Sequence, residues 1–206
     1  VAISAGKTMD ITTAESYTHY RIGMLYNGNS NANPIGPEPT GQTNITVRDG
    51  GSLTTVNNVF VGMTWNRDAG PADAKLTVES GGTVSAGNQL LLGNVYNAGN
   101  TKAATGELEI NGGSVSANNI LIGHKNNQDS SGLSTGKLVL NSGTLTSPNA
   151  LVIAHADDSN GTFIMNGGTA TSKGITFGSK DTTTTVDGVT TTTHEYTEQV
   201  VDFQLL

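Results

Sequence analysis

Short runs in which apolar and polar residues alternate recur along the chain, and Gly, Asn and Ser residues separate them. In the segment 107–123, ELEINGGSVSANNILIG, Leu108 and Ile110 alternate with polar residues, and a later apolar run ends at Gly123. An alternation of period two is typical of a β-strand with one buried face. Related segments occupy residues 44–62, 75–93, 137–154 and 162–178. The pattern therefore predicts a repeated unit of about three short strands, without helical periodicity.

A single residue closes each unit and gives the length of the repeat. It falls at Gly23, Gly62, Gly93, Gly123, Ala154 and Gly178. The spacing is roughly 30 residues in most units, a size typical of repeat proteins. A unit this small cannot bury its apolar face alone, whereas stacked units can. We therefore expect an all-β fold, a parallel β-helix with about three strands per coil and about five to six coils. The preference of parallel connections favours right-handed winding.

Glycine pairs and asparagines mark the expected corners. Glycine supplies the positive φ angles that a tight corner needs. The pairs are Gly50-Gly51, Gly81-Gly82, Gly112-Gly113 and Gly167-Gly168. Asn111, Asn141 and Asn166 follow the first strand in three units, and we expect their side-chain amides to form a hydrogen-bonded ladder. The longer insertions begin just after each closing residue, so we expect the loops to leave from one corner, which in repeat proteins is often the binding face.

We expect one domain, 1–206, because the repeat runs through most of the chain. Its parts are an entry coil with a Pro-rich loop, the regular coils, a Thr-rich hairpin insertion and a last strand, at residues 1–43, 44–178, 179–198 and 199–206. Ile3, Met9 and Ile11 are the expected inward set of the entry coil. In the insertion, an Asp-Gly pair between Thr-rich runs predicts the hairpin. The last strand would leave an open edge, which further coils, a cap or another chain would cover.

Composition narrows the classes of function. The chain has 206 residues, 10 Lys and Arg, 17 Asp and Glu, and a net charge of −7. An acidic chain without a basic stripe is a poor partner for nucleic acids and anionic membranes, and no apolar run is long enough to span a bilayer. Cysteine is absent, which fits an exported bacterial protein whose stacked sheet needs no disulfides. We expect no cofactor.

An aromatic residue followed by Asn recurs three residues after the closing glycine. The pairs are Tyr26-Asn27, Trp65-Asn66 and Tyr96-Asn97. In stacked units the aromatic side chains would form a column with steps of about 5 Å. Such a column is a candidate platform for sugar rings, with the amides as hydrogen-bonding partners. The alternative is that these side chains cover the apolar edge beneath the loops.

Two histidines, His124 and His155, directly follow closing residues, and Asp157 lies nearby. Imidazole and carboxylate groups are metal ligands, but a polar pair at the base of a loop explains the same pattern, and we predict no metal site. Charged residues on and close to the first strands are candidates for catalysis: Asp49, Glu79, Glu109, Arg48, Lys75 and Lys137. The carboxylates share no consistent base and no catalytic motif is present, so we predict no catalytic residues and a solvated charged face.

The units GELEINGGSVSANNILIG and GKLVLNSGTLTSPNALVIA, each followed by a Gly-, Asn- and Ser-rich loop, resemble the autotransporter-associated β-strand repeats over residues 42–178. Those repeats occur in large exported bacterial surface proteins. The resemblance implies a β-helical stalk that presents adhesive or carbohydrate-active parts. It implies no catalytic residue at any position of this chain.

We therefore expect a non-catalytic segment of a secreted or surface-anchored bacterial protein, structural or adhesive, which contacts polysaccharide or a cell-surface glycan through the loop corner. One alternative is a fragment of a β-helical polysaccharide lyase or hydrolase, which predicts an acidic and basic cluster in a groove. Another is a mechanical spacer or a phage fibre segment, which predicts a trimer or filament without a ligand.

Overall fold

A computed structural model describes residues 1–24, 41–65, 70–96, 101–126, 130–156, 158–177, 180–186, 189–195 and 200–205. These residues are all-β. Sixteen parallel strands form one sheet that curls into a half barrel, and two further strands pair in an antiparallel hairpin. In these ranges no helix is long and apolar enough to cross a membrane.

The strands follow one another without helices between them in the described part of the chain. The first nine are β1 Ala2–Ile3, β2 Thr8–Ile11, β3 Ala14–Tyr17, β4 Tyr20–Ile22, β5 Thr43–Val47, β6 Ser52–Thr55, β7 Val59–Thr64, β8 Ala72–Glu79 and β9 Thr83–Val95. The others are β10 Ala104–Lys125, β11 Ser134–Ser147, β12 Ala150–Ile153, β13 Ser159–Met165, β14 Thr169–Ser172, β15 Ile175–Phe177, β16 Lys180–Val186, β17 Val189–Glu195 and β18 Val200–Leu205.

The expected right-handed parallel β-helix, with about three strands per coil, five to six coils and loops at one corner, is wrong. The structure contains one curled parallel sheet, and coils of three strands are not present in its described part. Strand β10 shows the physical reason, because it runs for 22 residues through the Asn111–Gly113 sequence at which a corner was expected. The ladder shifts register at this sequence and resumes at Ser114, which is paired with Thr144 and Thr83.

The closing glycines also fail to end their strands. Gly62, Gly93 and Gly123 have φ angles of 68°, 65° and 72°, yet β7, β9 and β10 continue beyond them into regions where loops were expected. A single left-handed residue bends a strand, and the following residues resume their pairing. Met63 and His124 are both register partners of Asn94. The sequence around this point therefore belongs to the sheet.

The main core follows the predicted alternation, because equivalent residues of neighbouring units are register partners. Leu108 pairs with Leu76 on one side and with Leu138 on the other, and Leu138 pairs with Phe163. All four side chains are buried in the same core cluster. Ile11 belongs to this cluster, with Ile3 and Met9 packed against it as partly buried residues. The predicted inward positions are confirmed.

Two other local predictions are confirmed. The Asn141 Nδ2 donates a hydrogen bond to the Asn111 Oδ1 at 2.7 Å, and the Asn166 Nδ2 donates to the Asn141 Oδ1 at 2.6 Å, so the side-chain ladder is formed. Strands β16 and β17 pair from Lys180↔Glu195 to Val186↔Val189 as the Thr-rich hairpin. Residues 187–188, its predicted turn, lie outside the described residues.

Candidate functional site

Strand β7 buries side chains on both faces of the sheet, because its apolar residues are consecutive. Val59 and Val61 join the main core, while Phe60 and Met63 enter a second cluster on the opposite face. This second cluster consists of Met24, Phe60, Met63, Leu91 and Leu121, with Trp65, Tyr96 and Val152 packed against it as partly buried residues. The candidate site lies where the aromatic side chains border the second cluster.

Trp65 and Tyr96 directly follow β7 and β9, and backbone pairing brings them side by side. Thr64 is the register partner of Val95, and the Tyr96 N–H donates a hydrogen bond to the Thr64 carbonyl oxygen at 3.1 Å. The two rings stack with their centroids 4.2 Å apart and their planes 8° apart. The predicted adjacency of these two aromatic residues is therefore present, and their role as a sugar platform stays a prediction.

The described structure does not cover the rest of the predicted platform. Tyr26, Asn27, Asn66 and Asn97 lie outside the described residues. On the far side of Tyr96, the equivalent position is Asn126, whose N–H donates to the Val95 carbonyl oxygen at 2.9 Å, so the aromatic column does not continue in that direction. Stacking also covers one face of each ring. A ligand ring can therefore stack only on the face of Trp65 or Tyr96 that points away from the other.

Trp65 also borders a depression of about 310 Å³, lined among the described residues by Ala2, Arg21, Met24 and Trp65. Arg21 is the register partner of Phe60, which places it on the side of β7 opposite to β9. Its guanidinium carbon lies 5.6 Å from the centroid of the Trp65 ring and 5.6 Å from that of Phe60. Volumes of about 300 Å³ and above are typical of small-molecule sites. The depression therefore has the size, the aromatic wall and the polar group of a ligand site.

His124 and His155 form a second pair of neighbouring rings, which are tilted, with centroids 4.4 Å apart and planes 37° apart. The His124 Nδ1 lies 3.0 Å from the Asn94 Oδ1. Burial, and then the neighbouring His155, lower the pKa of His124 to about 3. Burial also lowers the pKa of His155, against a smaller opposing effect of a hydrogen bond with the Lys125 backbone. Both imidazoles are therefore neutral at pH 7, and the Nδ1 of His124 carries the proton that it donates to Asn94.

Among the described residues, the histidine pair has no further ligands of the kind that a metal centre needs. Asp157 lies outside the described residues, and within the described ones no group of three or more His, Cys, Asp and Glu residues could hold a metal ion. The two rings pack against each other at a tilt, and His124 uses its Nδ1 for Asn94. In this arrangement the pair contributes packing and a hydrogen bond.

Lys125, which the sequence did not single out, has a fully buried side chain next to the histidine pair. Its Nζ donates to the Ser130 carbonyl oxygen at 2.9 Å and to the Asp158 Oδ2 at 3.3 Å. The register partner of Lys125 is the buried Val95. A lysine at a position that is apolar in the neighbouring unit is the sequence signal for this interaction, since a buried ammonium requires partners.

Five of the six charged residues that were candidates for catalysis, all except Asp49, form ion pairs between neighbouring strands in the described part of the chain. The Lys75 Nζ lies 3.1 Å from Glu107 and 2.5 Å from Glu109, and Lys137 lies 3.7 Å from Glu107. A hydrogen bond from Lys75 is the largest of the effects that lower the pKa of Glu109. A general acid needs a raised pKa, so Glu109 is unsuited to that role.

A second set of ion pairs joins β2 to the end of β5 and to β8. The Arg48 Nε lies 2.8 Å from the Asp10 Oδ2, and its Nη1 lies 2.8 Å from the Glu79 Oε2. All three side chains are more than two-fifths exposed. Such exposed pairs contribute little to stability individually, typically about 0–1 kcal/mol. Their geometry is that of a solvated face that links successive strands.

Comparisons with protein-family models, curated proteins and solved structures found no match to this chain.

Proposed function

We propose that this chain is a non-catalytic, structural and adhesive segment of an exported bacterial surface protein, and that it binds polysaccharide on the face of Trp65 that points away from Tyr96, beside the Arg21 guanidinium. The observation that carries the proposal is the depression beside Trp65, which Arg21 and Met24 also line. The apolar C–H face of a pyranose ring packs on an aromatic ring, and polar groups at the edge fix its orientation.

The stacked Tyr96 supports this role because it holds the indole of Trp65 in place. The rings are nearly parallel, at 8°, and both pack against the second cluster. A side chain fixed before binding loses less conformational entropy when the ligand arrives. A sugar would therefore meet a preorganised surface.

The structural part of the proposal rests on the length and continuity of the parallel ladder. Strand β10 pairs with β8 and β9 on one side and with β11 and β12 on the other. Side-chain hydrogen bonds and ion pairs add further links between strands, such as Asn141 to Asn111 and Arg48 to Glu79. The bacterial surface location, and a relation to the autotransporter-associated repeats, are proposals that rest on the repeated units.

The test is a glycan array probed with the wild-type chain, Trp65→Ala and Phe177→Ala. Phe177 is the matched control, since it is an aromatic residue 47 % exposed in β15, remote in sequence from the depression. We expect a defined set of glycans to bind the wild type and Phe177→Ala and to lose binding to Trp65→Ala. Circular dichroism would verify that each variant is folded.

Two results would count against the proposal. Binding that persists in Trp65→Ala would show that the glycan binds elsewhere. An array on which no glycan is bound would contradict the proposed adhesive function. In the second case the spacer alternative would gain support, and light scattering would then be expected to reveal a trimer or filament. Turnover of a polysaccharide would instead favour the enzyme alternative.

A further inference from the structure

We infer that the depression beside Trp65 recognises an acidic saccharide, a sugar ring that carries a carboxylate, and that Arg21 is the residue that selects it. This inference rests on the proposed function, because it names the ligand class of the same site. Arg21 carries a positive charge that the sugar-platform hypothesis did not use.

Arg21 is the only cation among the described residues that line the depression. In the described part of the chain it forms no ion pair, whereas Arg48, Lys75, Lys125 and Lys137 all lie beside carboxylates. The Nε of Arg21 is buried and has no hydrogen-bond partner among the described residues. A buried Nε is out of reach of a ligand, so the other N–H groups of the guanidinium, which lines the depression, are the donors available to an acceptor there.

The surroundings of Arg21 favour an anionic acceptor with a planar shape. The guanidinium lies 5.6 Å from the centroids of both Phe60 and Trp65, a distance at which a cation interacts favourably with an aromatic ring. The two rings restrict its position and shield it from part of the solvent. A guanidinium presents its N–H groups in a fork that matches the two oxygens of a carboxylate.

Trp65 requires that the carboxylate be attached to a ring with an apolar face. A sugar acid meets both conditions, since its ring contacts the indole beside the guanidinium, which lies over the Trp65 ring, while its carboxylate accepts from the guanidinium N–H groups. The net charge of −7 does not oppose a single carboxylate, because at physiological ionic strength charges more than about 8 Å apart are largely screened. It does disfavour a densely charged polyanion. The preferred ligand is therefore an occasional acidic sugar within a mostly neutral chain.

The experiment measures affinity for short oligosaccharides that contain a uronic acid and for the same oligosaccharides after reduction of the carboxyl to a hydroxymethyl group. The panel contains otherwise neutral xylo-, gluco- and galacto-oligosaccharides that each carry a single glucuronic or galacturonic acid, and each reduced form is the neutral matched ligand. The proteins are the wild type, Arg21→Gln, Arg21→Lys and Trp65→Ala. Circular dichroism and thermal unfolding of all four chains verify that the folds are comparable.

We expect the wild type to bind at least one acidic ligand about tenfold more tightly than its reduced form, as a charge-assisted hydrogen bond predicts. Arg21→Gln should remove this preference and keep the affinity for the reduced ligand, while Arg21→Lys should keep part of the preference. Trp65→Ala should lower the affinity for both the acidic and the reduced ligand. Raising the salt concentration from about 50 mM to about 500 mM should lower the affinity for the acidic ligand and leave that for the reduced ligand unchanged.

Equal affinity of the wild type for the acidic and reduced ligands would overturn the inference and leave the proposed glycan binding intact. A preference that survives in Arg21→Gln would also overturn it, since another residue would then select the carboxylate. Unchanged binding in Trp65→Ala would instead contradict the proposed site itself. Failure of every ligand in the panel to bind would refute the inference, and the glycan array would then decide the proposed function separately.

Discussion

Gly123→Ala tests the close packing of β10 against β13. Gly123 has a φ of 72°, and a Cβ built on it would lie 2.3 Å from the carbonyl oxygen of Asn160 and 2.9 Å from its carbonyl carbon. Real Cβ atoms do not approach backbone atoms so closely, so the strands would have to separate locally. The matched control is Gly174→Ala, because a Cβ at Gly174 has nothing within 4 Å.

The expected destabilisation has two parts. A left-handed conformation costs an L-residue roughly 1–2 kcal/mol, and overpacking typically costs about 1–3 kcal/mol, which gives about 2–5 kcal/mol in total. Ala154, which closes the next unit, has a φ of 55°. The structure therefore already accommodates an alanine in the left-handed conformation at the equivalent position. The collision with Asn160 should therefore account for most of the effect.

The assay is urea unfolding followed by circular dichroism for the wild type and both variants. With an m-value of about 2 kcal/mol/M, the midpoint of Gly123→Ala should fall by about 1–2.5 M. Gly174→Ala should be unchanged or slightly more stable, since alanine restricts the unfolded chain. If the two variants unfold at the same urea concentration, the close approach of β10 and β13 at this point is incorrect.

Two further predictions concern the polar residues of the sheet. Asn141→Ala should lower the free energy of unfolding by about 1–3 kcal/mol, because it removes hydrogen bonds to Asn111 and from Asn166; an unchanged urea midpoint would refute the ladder's contribution. Lowering the pH should destabilise the chain, because the pKa of His124 is about 3 when folded and near 6.5 otherwise, so that the unfolded state binds more protons within this window. The stability is complete above about pH 6.5, and His124 alone should cost about 2 kcal/mol between pH 7 and pH 5. His155 acts in the same direction. Urea midpoints across this range should fall less steeply in His124→Gln, and equal slopes would contradict the burial of His124.

The sequence predicted the features that depend on local alternation and on repetition. Leu108 and Leu138 are register partners, as their equivalent places in the repeat indicated, and Trp65 and Tyr96 are adjacent for the same reason. The division into coils of three strands was wrong, because glycines were treated as strand breaks. Gly112 has a φ of 100° and still lies within β10, since backbone pairing on both sides of it maintains the ladder.

The polar residues of the candidate site were harder to predict, because their importance depends on which side chains the sheet places around them. Arg21 is one polar residue in a short strand, and its relevance follows from pairing with Phe60 and from the nearby Trp65. Lys125 is similar, since it is buried because β10 continues beyond Gly123 as part of the sheet. Neither position has a local motif that marks it.

The most direct measurement of the proposed site is the fluorescence of Trp65, which is the single tryptophan of the chain. A glycan that binds to the array should be titrated into the wild-type chain while emission and, independently, heat release are recorded. If the sugar ring stacks on the indole, emission should change with the same saturation curve as the heat of binding. Heat of binding without any change in emission would contradict a site on the face of Trp65.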